Sequence, residues 1–173
     1  MSENNELKGL GGWLILVGIG VVIAPIRLLV TYIPILKPIV EDGTWEALTT
    51  AGSEAYDPLW APLLIGEIAF NSIMVAASIY LIYLFFTKHC FFPKLYIGIV
   101  FVSLIFILLD AWFVTKVLHN EPKFDPETTK EFMRTLVGAV IWVPYMLVSK
   151  RVKATFGETM PNNQMQPTDE SVG

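Results

Sequence analysis

Glu67 and Asn71 stand one helical turn apart in APLLIGEIAFNSIMVAAS, residues 61–78, a stretch that is otherwise lipid-soluble. Arg27 and Asp110 interrupt two other apolar runs in the same way. A charged side chain in hydrocarbon is disfavoured by about 2.5–3.5 kcal/mol on insertion scales, so each of these residues needs a partner or a task. Three arrangements fit. Arg27 between Glu67 and Asp110 can hold both carboxylates through its planar fork, an ion-pair network that fixes helix register. The same groups can instead bind a small polar or charged molecule, or relay protons. In the third arrangement Arg27 snorkels outward, away from the acids. Acid–base catalysis by Glu67 and Asp110 fits poorly, because an intervening guanidinium keeps both carboxyls ionised and such catalysis needs one of them protonated.

These residues must be carried by membrane helices. The chain has 173 residues, 54% of them hydrophobic and only 16% charged, a composition outside that of a soluble domain of this size. A span needs roughly 20 apolar residues. Four segments qualify, at about 10–36, 58–87, 93–118 and 126–150, which predicts an all-α bundle of four transmembrane helices in the lipid bilayer. The first is too long for a signal-peptide core, follows acidic residues, and has no A-x-A-like site after it. Asp57-Pro58, Pro93 and Asp125-Pro126 mark three helix starts, since proline at the first helical position lacks only an amide that would be unpaired. Pro34 and Pro38 are expected to end the first helix, and Pro25 and Pro144 to kink the first and fourth.

Lys8, Lys88, Lys94, Lys150, Arg151 and Lys153 fall on one side of the bilayer, with Lys37, Lys123 and Lys130 on the other and Lys116 and Arg134 near helix ends. This bias places both termini in the cytoplasm. The segment 37–57 is then an outer loop, in which acids alternate with Trp45, Leu48 and Tyr56; it is either a surface helix around Thr44 to Thr49 or a solvated loop. Residues 157–173, poor in apolar side chains, are expected to be a disordered cytoplasmic tail.

With that topology Arg27, Glu67 and Asp110 each lie about 10–12 Å below the outer surface of the hydrocarbon, at a rise of about 1.5 Å per residue. Three helices with one ionisable group each at one depth predict a shared site of Arg27, Glu67, Asn71 and Asp110, with Arg134 the nearest further cation. Arg134, Gly138, Trp142, Tyr145 and Ser149 recur at spacings of three and four and form a candidate inward stripe of the fourth helix. Lys150, Arg151 and Lys153 are expected against anionic headgroups, with Val152 and Phe156 as the apolar side of a surface helix that meets lipid or a protein partner. Ala69, Ser72 and Ala76 are a small-residue stripe suited to a homodimer.

No nucleophile elbow, H-E-x-x-H, phosphate-cradling glycine loop or cysteine–histidine pairing is present, so no catalytic residue, cofactor or metal is assigned. His89-Cys90 is too small a set for a metal site, and the single cysteine excludes an internal disulfide. A net charge of −4 without a basic domain face argues against nucleic acid. Two functions remain: a non-enzymatic membrane protein that binds or conducts a small polar ligand or protons, or an accessory subunit whose cluster is structural and whose outer loop or basic tail binds a partner protein.

The entry LKGLGGWLILVGIGVVIAP and the exit IWVPYMLVSKRVKATF carry a family resemblance. With the exit pattern Trp142-x-Pro144-Tyr145-x-x-x-Ser149-x-Arg151-Val152-Lys153-x-Thr155-Phe156, the chain from Leu7 to Phe156 resembles the bacterial domain-of-unknown-function 2569 family. The resemblance implies a four-helix inner-membrane topology and a bacterial source, and it carries no activity with it.

Overall fold

Gly12 opens the first helix at φ +59° and Gly9 precedes it at φ +121°, backbone conformations in which a side chain is strained. From there a computed structural model describes residues 9–117 and 126–157; Lys8, Lys123 and the tail after Gly157 lie outside the described residues. The described residues form six helices: α1 (Trp13–Glu41), α2 (Thr44–Thr49), α3 (Trp60–Phe86), α4 (Phe92–Val117), α5 (Pro126–Val148) and α6 (Lys150–Phe156). Among the described residues there is no strand, and α1, α3, α4 and α5 are long and apolar enough to cross a membrane. The protein is an all-α, multi-pass membrane bundle.

Three boundaries differ from the sequence expectation for physical reasons. Pro34 and Pro38 do not end α1, which runs through Pro25, Pro34 and Pro38 to Glu41. Each proline removes one amide, but in lipid no water competes for the remaining backbone groups, so the helix persists. At the start of α3, Asp57 Oδ1 accepts from the amide of Leu59 at 2.8 Å, and the helix begins two residues after Pro58. The fourth span stops at Val148 because Ser149 leaves helical geometry with ψ 121°. Its hydroxyl accepts from the amide of Val152 at 3.4 Å, so Ser149 caps a separate helix, α6.

Consecutive long helices pack side by side, α1 on α3, α3 on α4 and α4 on α5; α2 is tucked against α1 and α3, and α6 against α4 and α5. The densest packing lies at the end of the bundle where α1 begins. There Leu14, Val17 and Val21 meet Leu81, Leu84 and Phe85 of α3, Phe92 of α4, Met146 of α5, and Val152 and Phe156 of α6. Phe92 stacks on Phe156 at 4.7 Å between centroids and meets Phe85 edge-on at 5.1 Å. These rings plug that end of the bundle. The outward faces carry exposed isoleucine, leucine, valine and phenylalanine, such as Ile19, Ile23, Val30, Ile73 and Ile105, which is the surface a bilayer solvates.

The apolar side of the basic segment after the fourth span departs from the expected lipid-facing arrangement. Val152 and Phe156 are each 2% exposed, so the apolar side of α6 faces the protein plug and not lipid. Thr155 Oγ1 accepts from the amide of Gly9 at 3.3 Å and donates to its carbonyl at 3.2 Å, which fastens α6 to the turn before α1. Arg151 is half-buried over the same turn, where a Cβ on Gly11 would stand 2.7 Å from its Nη1. Lys150 and Lys153 remain exposed.

Candidate functional site

Above the plug the four long helices separate around a cavity of about 320 Å³. Each contributes one stripe at spacings of three and four: Ala24, Arg27, Thr31 and Tyr32 on α1; Glu67, Phe70, Asn71, Met74 and Ser78 on α3; Ser103, Phe106 and Asp110 on α4; and Thr128, Glu131 and Thr135 on α5. The polarity is graded along the axis. Glu67, Asp110 and Glu131 occupy the end away from the plug, and Ser78 and Ile99 the floor, about 16 Å deeper at 11 residues of helix rise. Below Ser78, α3 continues as Leu81, Leu84 and Phe85. The charged end reaches the surface of the bundle, since Arg27 and Glu131 are exposed while Glu67, Asn71 and Asp110 are half-buried.

Arg27, Glu67, Asn71 and Asp110 therefore line one cavity, but they do not form the expected ion-pair network. Among the described residues no cation approaches Glu67 or Asp110 within 4.0 Å; the ion pair seen is the exposed Lys37–Glu41 contact at 3.7 Å, one turn apart on α1. Asn71 spends its amide locally, donating from Nδ2 to the backbone carbonyl of Glu67 at 3.0 Å. Glu67 instead shares the cavity lining with two further acids, Asp110 and Glu131.

Arg134 is exposed and does not line the cavity, while Glu131, three residues earlier on α5, does. Trp142 and Tyr145 are half-buried, edge-to-face at 5.9 Å, and pack on the apolar plug. Ser149 caps α6. The lower part of the expected stripe thus belongs to the plug and the upper part to a different residue set. Two cavity features have no counterpart in the expected cluster. The rings of Phe70 and Phe106 lie parallel, 3° apart in plane with centroids at 3.5 Å, stacked on each other between α3 and α4. The hydroxyl of Tyr32 is buried without a hydrogen-bond partner among the described residues. Ala69, Ser72 and Ala76 are exposed on the outside of α3.

The absence of a guanidinium clamp has an energetic consequence. Breaking a buried ion pair leaves an uncompensated charge and costs about 3–5 kcal/mol. Among the described residues Glu67 has no such pair to break, and its neutralisation removes one of three acids that share the cavity lining. Glu67→Gln is expected to unfold in detergent at or slightly above the wild-type temperature. A double-mutant cycle with Arg27→Met is expected to give a coupling below about 0.5 kcal/mol, the range of non-contacting sites.

The model of the family described as "Protein of unknown function (DUF2569)" matches residues 7–157. No curated protein and no solved structure matches the chain. The matched region takes in all six helices, from the glycine turn before α1 to the end of α6. By this match, and by the four membrane helices that it covers, the chain belongs to the DUF2569 family.

Proposed function

We propose that this is a non-enzymatic membrane protein that holds a small polar ligand in the cavity between its four spans. The observation that carries the reading is the cavity itself: about 320 Å³, lined with polar side chains from every long helix, accessible at its charged end and closed by the aromatic plug at the other. Ligand sites are concave, mostly apolar and provided with a few convergent polar groups, and this volume falls at the lower end of their range of about 300–1,000 Å³. The plug favours binding over conduction. A pore needs a polar path through the whole membrane, and below Ser78 the four helices close on leucine and phenylalanine. In a bacterial inner membrane, with the lysine- and arginine-rich side facing the cytoplasm, the charged mouth opens outward. The reading of an accessory subunit, with the cluster as an internal strut, calls for close ion pairs, and among the described residues Glu67 and Asp110 make none.

The test is solvent access to the cavity. In a Cys90→Ser background, Ser103→Cys on the cavity wall is expected to react with a membrane-impermeant maleimide, and Leu84→Cys in the plug to stay unreactive. Protection of both positions would mean a dry bundle interior and would return the strut and a partner-binding role to first place.

A further inference from the structure

The charge and shape of the cavity narrow the ligand to one class, and this inference rests on the ligand-holding role proposed above. Three carboxylates, Glu67, Asp110 and Glu131, face one guanidinium, Arg27, so the ionised lining carries an excess of two negative charges. An anion would have to enter against that excess. A metal ion fits no better, since among the described residues no three histidine, cysteine, aspartate or glutamate side chains converge closely enough to ligate one.

The rest of the lining is apolar and aromatic. Directly below the acids stand the stacked rings of Phe70 and Phe106, followed by Met74. Aromatic and thioether side chains supply apolar surface for the hydrocarbon part of a ligand. On the α1 wall an independent feature points to a ligand. Tyr32 lines the cavity, and its hydroxyl is buried without a hydrogen-bond partner among the described residues. Buried polar groups are ordinarily hydrogen-bonded, so this hydroxyl is a polar contact that a bound molecule can use.

We propose that the cavity binds a small organic cation, an ammonium-type head held among Glu67, Asp110 and Glu131 with its apolar body along Phe70 and Met74 toward Ser78. Recognition is electrostatic at the mouth and hydrophobic below it. Glu131 is the residue on which this can be tested without disturbing the fold, because it is exposed at the rim and outside the packed core.

The experiment is calorimetric titration of the purified full chain in neutral detergent with phenyltrimethylammonium, benzyl alcohol and benzenesulfonate. The cation is expected to bind at least about tenfold more tightly than the neutral and anionic probes, and Glu131→Gln and Glu67→Gln each to weaken it by about fivefold or more while leaving benzyl alcohol unchanged. Equal or tighter binding of benzenesulfonate or benzyl alcohol would overturn the assignment, as would cation affinity indifferent to both substitutions or saturable binding by none of the three probes. The Ser103→Cys labelling separates the two levels. If Ser103→Cys is reactive and the cation fails, the ligand class is wrong and the ligand-holding role stands; if Ser103→Cys is protected, that role fails with it.

Discussion

Phe85→Ala is expected to lower the thermal unfolding temperature in detergent by about 4–8 °C, taking roughly 2 kcal/mol at about 2–4 °C per kcal/mol for a chain of this size. Phe85 is 2% exposed and sits where four elements meet, against Phe92, Phe156, Phe86 and the backbone of Gly18. In a soluble core its loss would combine a water-transfer term with a cavity term. A span that separates moves into lipid as apolar as leucine, so the transfer term largely disappears and packing remains. An unfilled void of roughly 100 Å³ at about 24 cal/mol per Å³ gives the stated figure.

The contact with Gly18 adds a coupled result. A Cβ on Gly18 would stand 2.7 and 2.8 Å from Phe85 Cε1 and Cζ, so α1 and α3 approach there only because one partner lacks a side chain. Gly18→Ala alone is expected to be destabilising; in the Phe85→Ala background it partly fills the void and is expected to be neutral or stabilising. A cycle of the four proteins should show favourable coupling of about 1 kcal/mol or more, the range of residues in contact. Simple addition of the two losses would mean that the ring does not bear on α1.

The spans are legible in the sequence because a run of roughly 20 apolar residues is stable almost nowhere except across a bilayer. The gathering of Arg27, Glu67, Asn71 and Asp110 is legible for a related reason: charged residues at one depth on several spans have only the bundle interior in common. What each charge contacts is not legible, since depth fixes height on the helix and leaves distances across the bundle open. The expected Arg27 clamp rests on composition alone, and a few ångströms of separation across the bundle remove it. Glu131 shows the same limit in another form. Counting back from Trp142 in steps of four reaches Gly138 and then Arg134, about 80° off the face of Trp142 at 100° per residue. Alternating steps of four and three reach Thr135, Glu131 and Thr128, all within about 40° of it. The polar stripe of α5 is thus present in the chain, one step of phase away.

Phe156→Ala tests the most consequential rearrangement, the turning of the apolar side of α6 toward protein. As the apolar face of a lipid-bound surface helix, Phe156 would contribute to membrane affinity and little to folding. In the plug it is 2% exposed and stacks on Phe92 with planes 24° apart, while Thr155 beside it bonds both backbone groups of Gly9. Unlike the span that carries Phe85, α6 follows the last membrane crossing and can detach into water, so both the transfer and the cavity term apply. The loss is expected near the lower part of the 3–5 kcal/mol range for buried aromatic rings, about 6–12 °C in unfolding temperature. Lys150→Ala with Lys153→Ala removes two exposed charges from the same helix and is expected to change the unfolding temperature by less than about 2 °C, since exposed charges contribute little. A large loss on Phe156→Ala with no change on the lysine pair places α6 in the fold, where it holds α1 and α4 together beneath the cavity. The reverse pattern would make it a membrane anchor, and the cavity floor would then have to be closed by Phe85 and Phe92 alone.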